Sequence, residues 1–319
     1  MANLNHLVER ADLLRLMRRY FDERGFIEVQ PPCLSQDCVV DAYLDPIRVA
    51  TSELGIADPG FPPQFYLQTS PESAMKRMLV DGAPSIYSIG PVFRKGEAGH
   101  WHNPEFTMLE WYEVGGDVDS AIELLGNLVS QALCTDGFDR VSYRQAFRRS
   151  VGFDPIDVTT SALHAHVQRL DTSIAETIGS DHDALLDVVL SAEVAPTLGL
   201  NRAEIMTDYP LGQAALAKRS ATDPQCAARF ELFVRGVEIA NGYDELLDAE
   251  ELLERSVCNN QKRVQVGLEA LEPETSLVRA MRRGLPACSG VALGVDRLLM
   301  QQQSAPQIGD VIAFPIHDA

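Results

Sequence analysis

The sequence predicts an α+β fold, a largely antiparallel β-sheet flanked by helices. Strand-like segments form a block towards each end of the chain, with a mainly helical stretch at about 117–200 between them. The order helix, strands, helices, strands, helix lacks the regular strand–helix alternation of a doubly wound sheet. No internal repeat or low-complexity linker interrupts it, so residues 1–319 are expected to form a single domain that contains the helical stretch.

Each element has a local reason. Leu7, Ala11, Leu14, Met17 and Phe21 fall near helical spacing within 7–24, and Gly25 is a natural stop. "FIEVQPP" reads as a short strand closed off by two prolines. Residues 51–64 are rich in turn formers and read as a loop. "FYLQTSPESAMKRMLV" reads as a strand, a turn at Ser70-Pro71 and a helix, with Pro71 in the first turn and Glu72 beside the helix's positive end. Residues 117–135 and 159–196 are mostly helical in period. "RFELFVRGVEIANGYDEL" (229–246) reads as a strand pair broken at Arg235-Gly236. Residues 247–269 suit a charged helix, and 288–303 start as a glycine-punctuated strand that becomes a helix near Asp296.

The chain is 45% hydrophobic and 23% charged, which fits a sizeable core and excludes a disordered chain. It has no run of 18 apolar residues and no signal-type N-terminus, so a cytoplasmic protein without membrane contact is expected. Six scattered cysteines lack zinc or redox spacing and read as reduced thiols. A formal net charge of −19 disfavours non-specific nucleic-acid binding. An acidic partner would need a local basic surface, for which Arg15, Arg18 and Arg19, or Arg144, Arg148 and Arg149, are candidates.

Three places carry chemistry. In "FRKGEAGHWHNPEFTMLEWY" (93–112), strand period puts Phe106, Met108, Glu110 and Tyr112 on one face. Glu110 thus sits among apolar groups and needs a cationic partner, from protein or ligand. Arg94 precedes a glycine-broken loop, where a guanidinium suits phosphate; a surface arginine and an edge-strand glutamate in an ion pair is the plainer alternative. In "VEIANGYDEL", Glu238 and Glu245 lie seven residues apart across an expected turn at Asn241-Gly242. They suit Mg²⁺ with substrate phosphates, or simply form a solvated acidic turn. In "SGVALGVDRLLM", Gly290, Ala292 and Gly294 allow close approach to the backbone, and Arg297 lies just inside a helix start. The set fits a nucleoside triphosphate with Mg²⁺ and a substrate bearing a positive amine. His100 and His102 share a strand face, but no third ligand stands nearby to complete a metal site.

"GFIEVQPP", "FRKGEAGHWHNPEFTMLEWY" and "GVALGVDR" resemble motifs 1, 2 and 3 of class II aminoacyl-tRNA synthetases in the lysyl subgroup, and "TSPESAMKRML" and "ANGYDEL" sharpen the match. The resemblance runs from about residue 7 to 316. Motif 1 begins almost at the start, which leaves no room for an anticodon-binding barrel and makes tRNA an unexpected substrate. The chain is most similar to the stand-alone family that attaches lysine or β-lysine to a lysine of translation elongation factor P.

That resemblance implies a homodimer built partly on the motif 1 helix and Pro32. It also implies activation of the amino acid by ATP, then transfer to the ε-amine of the acceptor. Arg94 would hold the α-phosphate and Arg297 the γ-phosphate end, as the catalytic arginines. Glu97, His102, Asn103, Ile239 and Gly294 would contact ATP, and Glu238 and Glu245 would bind Mg²⁺. Ser70, Glu72, Glu110, Tyr112, Asn241, Glu245 and Ala292 would line the amino-acid pocket. The synthetase pattern has Arg-Asn-Glu where this chain has Arg94-Lys95-Gly96 before Glu97, and glycine where it has Ala292. The stand-alone family shares that alanine, which favours β-lysine. Two other readings follow from the same motifs: a trimmed synthetase that charges tRNA or a small acceptor, and a non-catalytic regulatory paralogue. The second usually loses an ATP-binding arginine, and both arginines are present here.

Overall fold

The computed structural model describes residues 4–319; the first three residues of the expected domain lie outside it. From the N-terminus come α1 (Leu4–Asp22), β1 (Ile27–Glu28), β2 (Leu34–Ser35), β3 (Arg48–Ala50), β4 (Gln64–Leu67), α2 (Glu72–Val80), β5 (Ile86–Phe93) and β6 (Glu105–Val114). The middle contains α3 (Val118–Leu133), β7 (Asp139–Ser142), α4 (Tyr143–Val151), α5 (Thr160–Leu170), α6 (Thr172–Ile178), α7 (His182–Val189), β8 (Glu204–Pro210), β9 (Cys226–Val234) and β10 (Val237–Asp244). The chain ends with α8 (Ala249–Gln265), α9 (Ser276–Met281), β11 (Cys288–Gly294) and α10 (Val295–Gln303). It divides into two compact units: the segments on either side of Val118–Glu245 form the first, and Val118–Glu245 forms the second. No helix among the described residues is long and apolar enough to cross a membrane.

In the first unit β5, β6 and β11 run antiparallel, and β1 joins β5 in parallel. Phe21 of α1 covers one face, with ring centroids 4.9 Å from Tyr87, 5.0 Å from Trp111 and 5.2 Å from Phe26. Gly25 takes φ +79°, the left-handed conformation that ends α1 at little cost. The expected loop at 51–64 holds a 3₁₀ turn, and its flanks pair as β3 and β4, which with β2 make a small second sheet.

Arg263 of α8 ties that layer down. Wholly buried, it donates to the carbonyls of Asp41 (2.9 Å), Leu44 (2.6 Å) and Glu269 (2.9 Å) and to the Asp45 carboxylate (2.7 Å). Asp45 also accepts from Lys95 at 2.8 Å, next to Arg94. Burial pushes the Asp45 carboxyl up, but hydrogen bonds from Lys95, Arg48 and Arg263 outweigh it and hold the group at about 2. Arg263→Ala leaves this carboxylate and three carbonyls short of a donor. The expected loss is about 3–5 kcal/mol, read as a lower urea midpoint.

In the second unit β8, β9 and β10 run antiparallel, with β7 parallel to β8. The β9–β10 hairpin turns at Arg235-Gly236 as expected; both residues have positive φ (+49° and +79°), the tight turn that matches strand twist. Tyr143, Phe147, Val189, Met206, Tyr209 and Phe233 belong to its core.

Candidate active site

The strand period on β6 holds. Glu110 is buried, and β6 lies between β5 and β11, so the expected edge-strand alternative does not apply. Ser70 Oγ donates to Glu110 Oε2 and Tyr112 OH to Oε1, each at 2.7 Å. Ser70 also accepts from the Glu72 amide at 3.0 Å, which fixes the turn into α2. One turn on, Lys76 meets Glu72 at 2.5 Å with its ammonium 5.7 Å from the Tyr112 ring centre. Ala292 sits opposite Glu110 in the β6–β11 register, so its methyl shares that face. Ser70, Glu72, Glu110, Tyr112 and Ala292 therefore form one cluster.

Lys76 was not anticipated, although Glu72 and Lys76 stand four apart in a helix, a spacing that pairs side chains. Two carboxyl groups stand against one ammonium, so once Glu110 ionises the cluster is one negative charge in excess, which suits a cationic amine. Burial pushes the Glu110 carboxyl up to about 7, Glu72 adds to the shift, and Tyr112, Ser70 and Lys76 oppose it. Between the ordinary 4.5 and about 7 the folded chain holds a proton that the unfolded chain has released. This group's contribution to stability therefore falls as pH rises through that window. An incoming ammonium favours the ionised form, so amine binding at pH 7 releases up to about half a proton. Calorimetry in buffers of different ionisation enthalpy measures that release, and the KM for the amino acid falls as pH rises from about 6 to about 8.

Arg94 and Arg297, the two motif arginines, sit on the same unit. Arg94 lies 3.8 Å from Glu97 and 5.1 Å above the Phe106 ring centre, with its buried Nε unpartnered. Glu97 thus reaches back to Arg94 despite the one-place shift. Arg297, on the first turn of α10, contacts His102 Nε2 at 2.5 Å, which joins the motif 2 loop to the motif 3 helix. Gly294 caps that helix with no side-chain cap of its own. Asn103 is buried; it donates to the Glu105 carbonyl at 2.7 Å and accepts from the Ile316 amide at 3.0 Å, which braces the base of the loop. Asp296, also buried, accepts from the Thr107 amide at 2.6 Å and from Arg10 of α1. That network positions Arg297's helix against β6, a role for Asp296 beyond starting the helix.

The second unit carries Glu238, Ile239, Asn241 and Glu245. The expected turn at Asn241-Gly242 is absent: both residues pair with β9, opposite Glu231 and Phe230. A bulge lies instead between Glu238 and Ala240, with Ile239 as the extra, buried residue. Seven residues is an odd separation, so a regular strand would put Glu238 and Glu245 on opposite faces. The bulge moves Glu238 onto the face shared by Asn241, Tyr243 and Glu245. On the same face Glu231 accepts from Arg229 and from Tyr209 OH, each at 2.5 Å, and Arg229 donates to Asn241 at 3.3 Å. Burial pushes the Glu231 carboxyl up to about 7; Arg229 lowers it and the nearby Glu238 charge raises it. Carboxylates gathered on one face suit a hard cation. No cluster of three or more His, Cys, Asp or Glu side chains stands at metal spacing among the described residues, so phosphate oxygens would have to complete such a site.

The arginines first considered for docking are largely spent. Arg15 pairs with Asp12, Arg18 with Glu28, Arg144 and Arg148 with Asp154, and Arg149 with Glu204.

A buried acidic cluster on an antiparallel sheet, with one arginine just past the strand that leads into a loop and another on the helix after a glycine-punctuated strand, defines a class. The chain belongs to the class II tRNA synthetases (D, K and N), whose family model matches residues 2–318. It is 40% identical over 315 residues to the elongation factor P–(R)-β-lysine ligase of Yersinia enterocolitica, covering 99% of this chain and 96% of the relative. It is 39% identical over 318 residues to the ligases of the same name from Yersinia pestis and Yersinia pseudotuberculosis, covering 100% of this chain and 97% of each relative.

Proposed function

We propose that this chain is an ATP-dependent ligase that activates (R)-β-lysine or lysine as an aminoacyl-adenylate and transfers it to a lysine ε-amine of elongation factor P. The observation that carries the reading is the Ser70–Glu110–Tyr112 pocket with Glu72 and Lys76, a buried site with one carboxylate in excess. Full-length similarity to ligases named for (R)-β-lysine and elongation factor P supports it.

Glu110 and Glu72 bind the substrate's ammonium, and Asn241 and Glu245 hold the rest of the amino acid. The substrate carboxylate attacks the α-phosphorus of ATP, and the bond to the β-phosphate oxygen breaks to release pyrophosphate. Arg94 neutralises charge at the α-phosphate and Arg297 at the γ-phosphate end. Glu97, His102, Asn103, the main chain at Ile239 and Gly294 position the nucleotide. Glu238 and Glu245 would hold Mg²⁺, which supplies charge neutralisation on the phosphates when bound. The acceptor amine then attacks the acyl carbon, AMP leaves with its oxygen, and the amine gives up a proton. The Ala292 methyl beside Glu110 shapes the pocket for the β-amino isomer. A homodimer built on α1 and Pro32, at work in the cytoplasm, completes the proposal.

ATP–pyrophosphate exchange tests the first step. Exchange that depends on either lysine isomer supports it, with (R)-β-lysine giving the lower KM. No exchange with either isomer at saturating ATP overturns it.

A further inference from the structure

The first unit holds a cavity of about 560 Å³ apart from the residues assigned above, lined by the loop after β2, by Phe65 of β4, by Arg77 at the end of α2 and by α9. Its wall carries three guanidiniums, those of Arg77, Arg279 and Arg283, and the hydroxyls of Ser35 and Ser276. Two carboxylates face them. Arg283 pairs with Asp81 at 2.8 Å. Asp37 accepts from the amide and the hydroxyl of Ser276 at 2.7 and 2.8 Å, and Arg279 stands 3.7 Å from it. Arg77 makes only a 3.3 Å hydrogen bond to Ser276 Oγ and has no carboxylate partner among the described residues.

The wall is therefore one positive charge in excess, in a chain whose formal net charge is −19. Most arginines of the chain are paired with a nearby acid, so an uncompensated guanidinium in a concavity marks a place where an anion can supply the missing charge. Three planar donor forks and the Ser35 hydroxyl match phosphoryl oxygens better than a single carboxylate. The volume is that of a small-molecule site. We propose that this cavity binds a small phosphorylated or polyphosphate anion, held by Arg77, Arg279 and Arg283 together. Because α2 carries Glu72 and Lys76 in its first turns and Arg77 immediately after, occupancy of the cavity bears on the helix that builds the amine pocket.

³¹P NMR titration of the full chain with pyrophosphate, and separately with inorganic phosphate, tests this. Arg94→Ala/Arg297→Ala serves as background to silence binding by the arginines assigned to ATP. One saturable site should remain in that background, tighter for pyrophosphate than for phosphate because three guanidiniums share the ligand. Adding Arg77→Ala and Arg279→Ala, both at exposed positions, should weaken it by about tenfold or more, the loss expected for charge-assisted hydrogen bonds. Arg77→Gln alone, which keeps most of the stem, should give an intermediate loss. No saturable site in the background variant, equal affinity for the two anions, or affinity unmoved by the Arg77 and Arg279 substitutions overturns the proposal.

Discussion

Arg94→Ala is expected to lower amino-acid-dependent ATP–pyrophosphate exchange by about 10²–10³-fold or more, the usual cost of removing one donor aimed at charge that develops in a transition state. The side chain is already placed for the task. Its guanidinium lies 5.1 Å from the Phe106 ring centre and 3.8 Å from Glu97, a contact loose enough for a phosphate to replace. The loss should fall mainly on kcat, with the KM for the amino acid little changed, because among the described residues Arg94 pairs with Glu97 and not with Glu72 or Glu110. Arg94→Lys should recover only part of the activity, since a point charge cannot reproduce two parallel hydrogen bonds. Steady-state exchange kinetics on the two variants, with folding checked by circular dichroism, measure the split. A large rise in KM at unchanged kcat would place Arg94 in the amino-acid site instead.

Glu110→Gln should act in the opposite way. Removal of one partner from a buried charge pair costs about 2–5 kcal/mol, which at ~1.4 kcal/mol per decade raises the KM for the lysine isomer roughly 30-fold to several thousand-fold. The ligand-free protein should not suffer with it. Ser70 and Tyr112 can still donate to an amide oxygen, and a neutral side chain escapes the burial cost that pushes the carboxyl up to about 7. At about pH 8, where the native carboxyl is mostly ionised, the variant should unfold at a urea midpoint equal to or above that of the parent. Weaker binding with undiminished stability identifies a group kept for its ligand rather than for the fold. A lower midpoint with unchanged KM would mark Glu110 as structural.

Much of this site could be read from the residues because its chemistry is local. Strand period alone put Glu110 and Tyr112 on one face, and the Ser70-Pro71 turn into α2 brought Glu72 to the same place. Arg235-Gly236 announced its hairpin because only a tight turn with two positive φ angles joins strands over two residues there. What escaped depends on pairing between distant segments. The three-residue strand β3 and the two-residue strand β2 are too short to show a period, and only their partners in β4 make them strands. The short β7 and the β8 strand, with α4 between them, escaped as well. "ANG" suggested a turn by composition, whereas the ladder to β9 holds it straight, and the bulge at Ile239 that aligns Glu238 with Glu245 has no signature in sequence. Lys76 looked like one more basic residue on a helix. Its burial follows from the pocket formed by Ser70, Glu72 and Tyr112 around it.

The most direct test of the ligase reading is intact-protein mass spectrometry of elongation factor P after incubation with this enzyme, ATP, Mg²⁺ and each lysine isomer in turn. A mass increase of one lysyl residue is expected, confined to a single lysine side chain, greater with (R)-β-lysine than with lysine, and lost with Arg94→Ala. An unmodified elongation factor P, together with label from the amino acid appearing on tRNA, would contradict it.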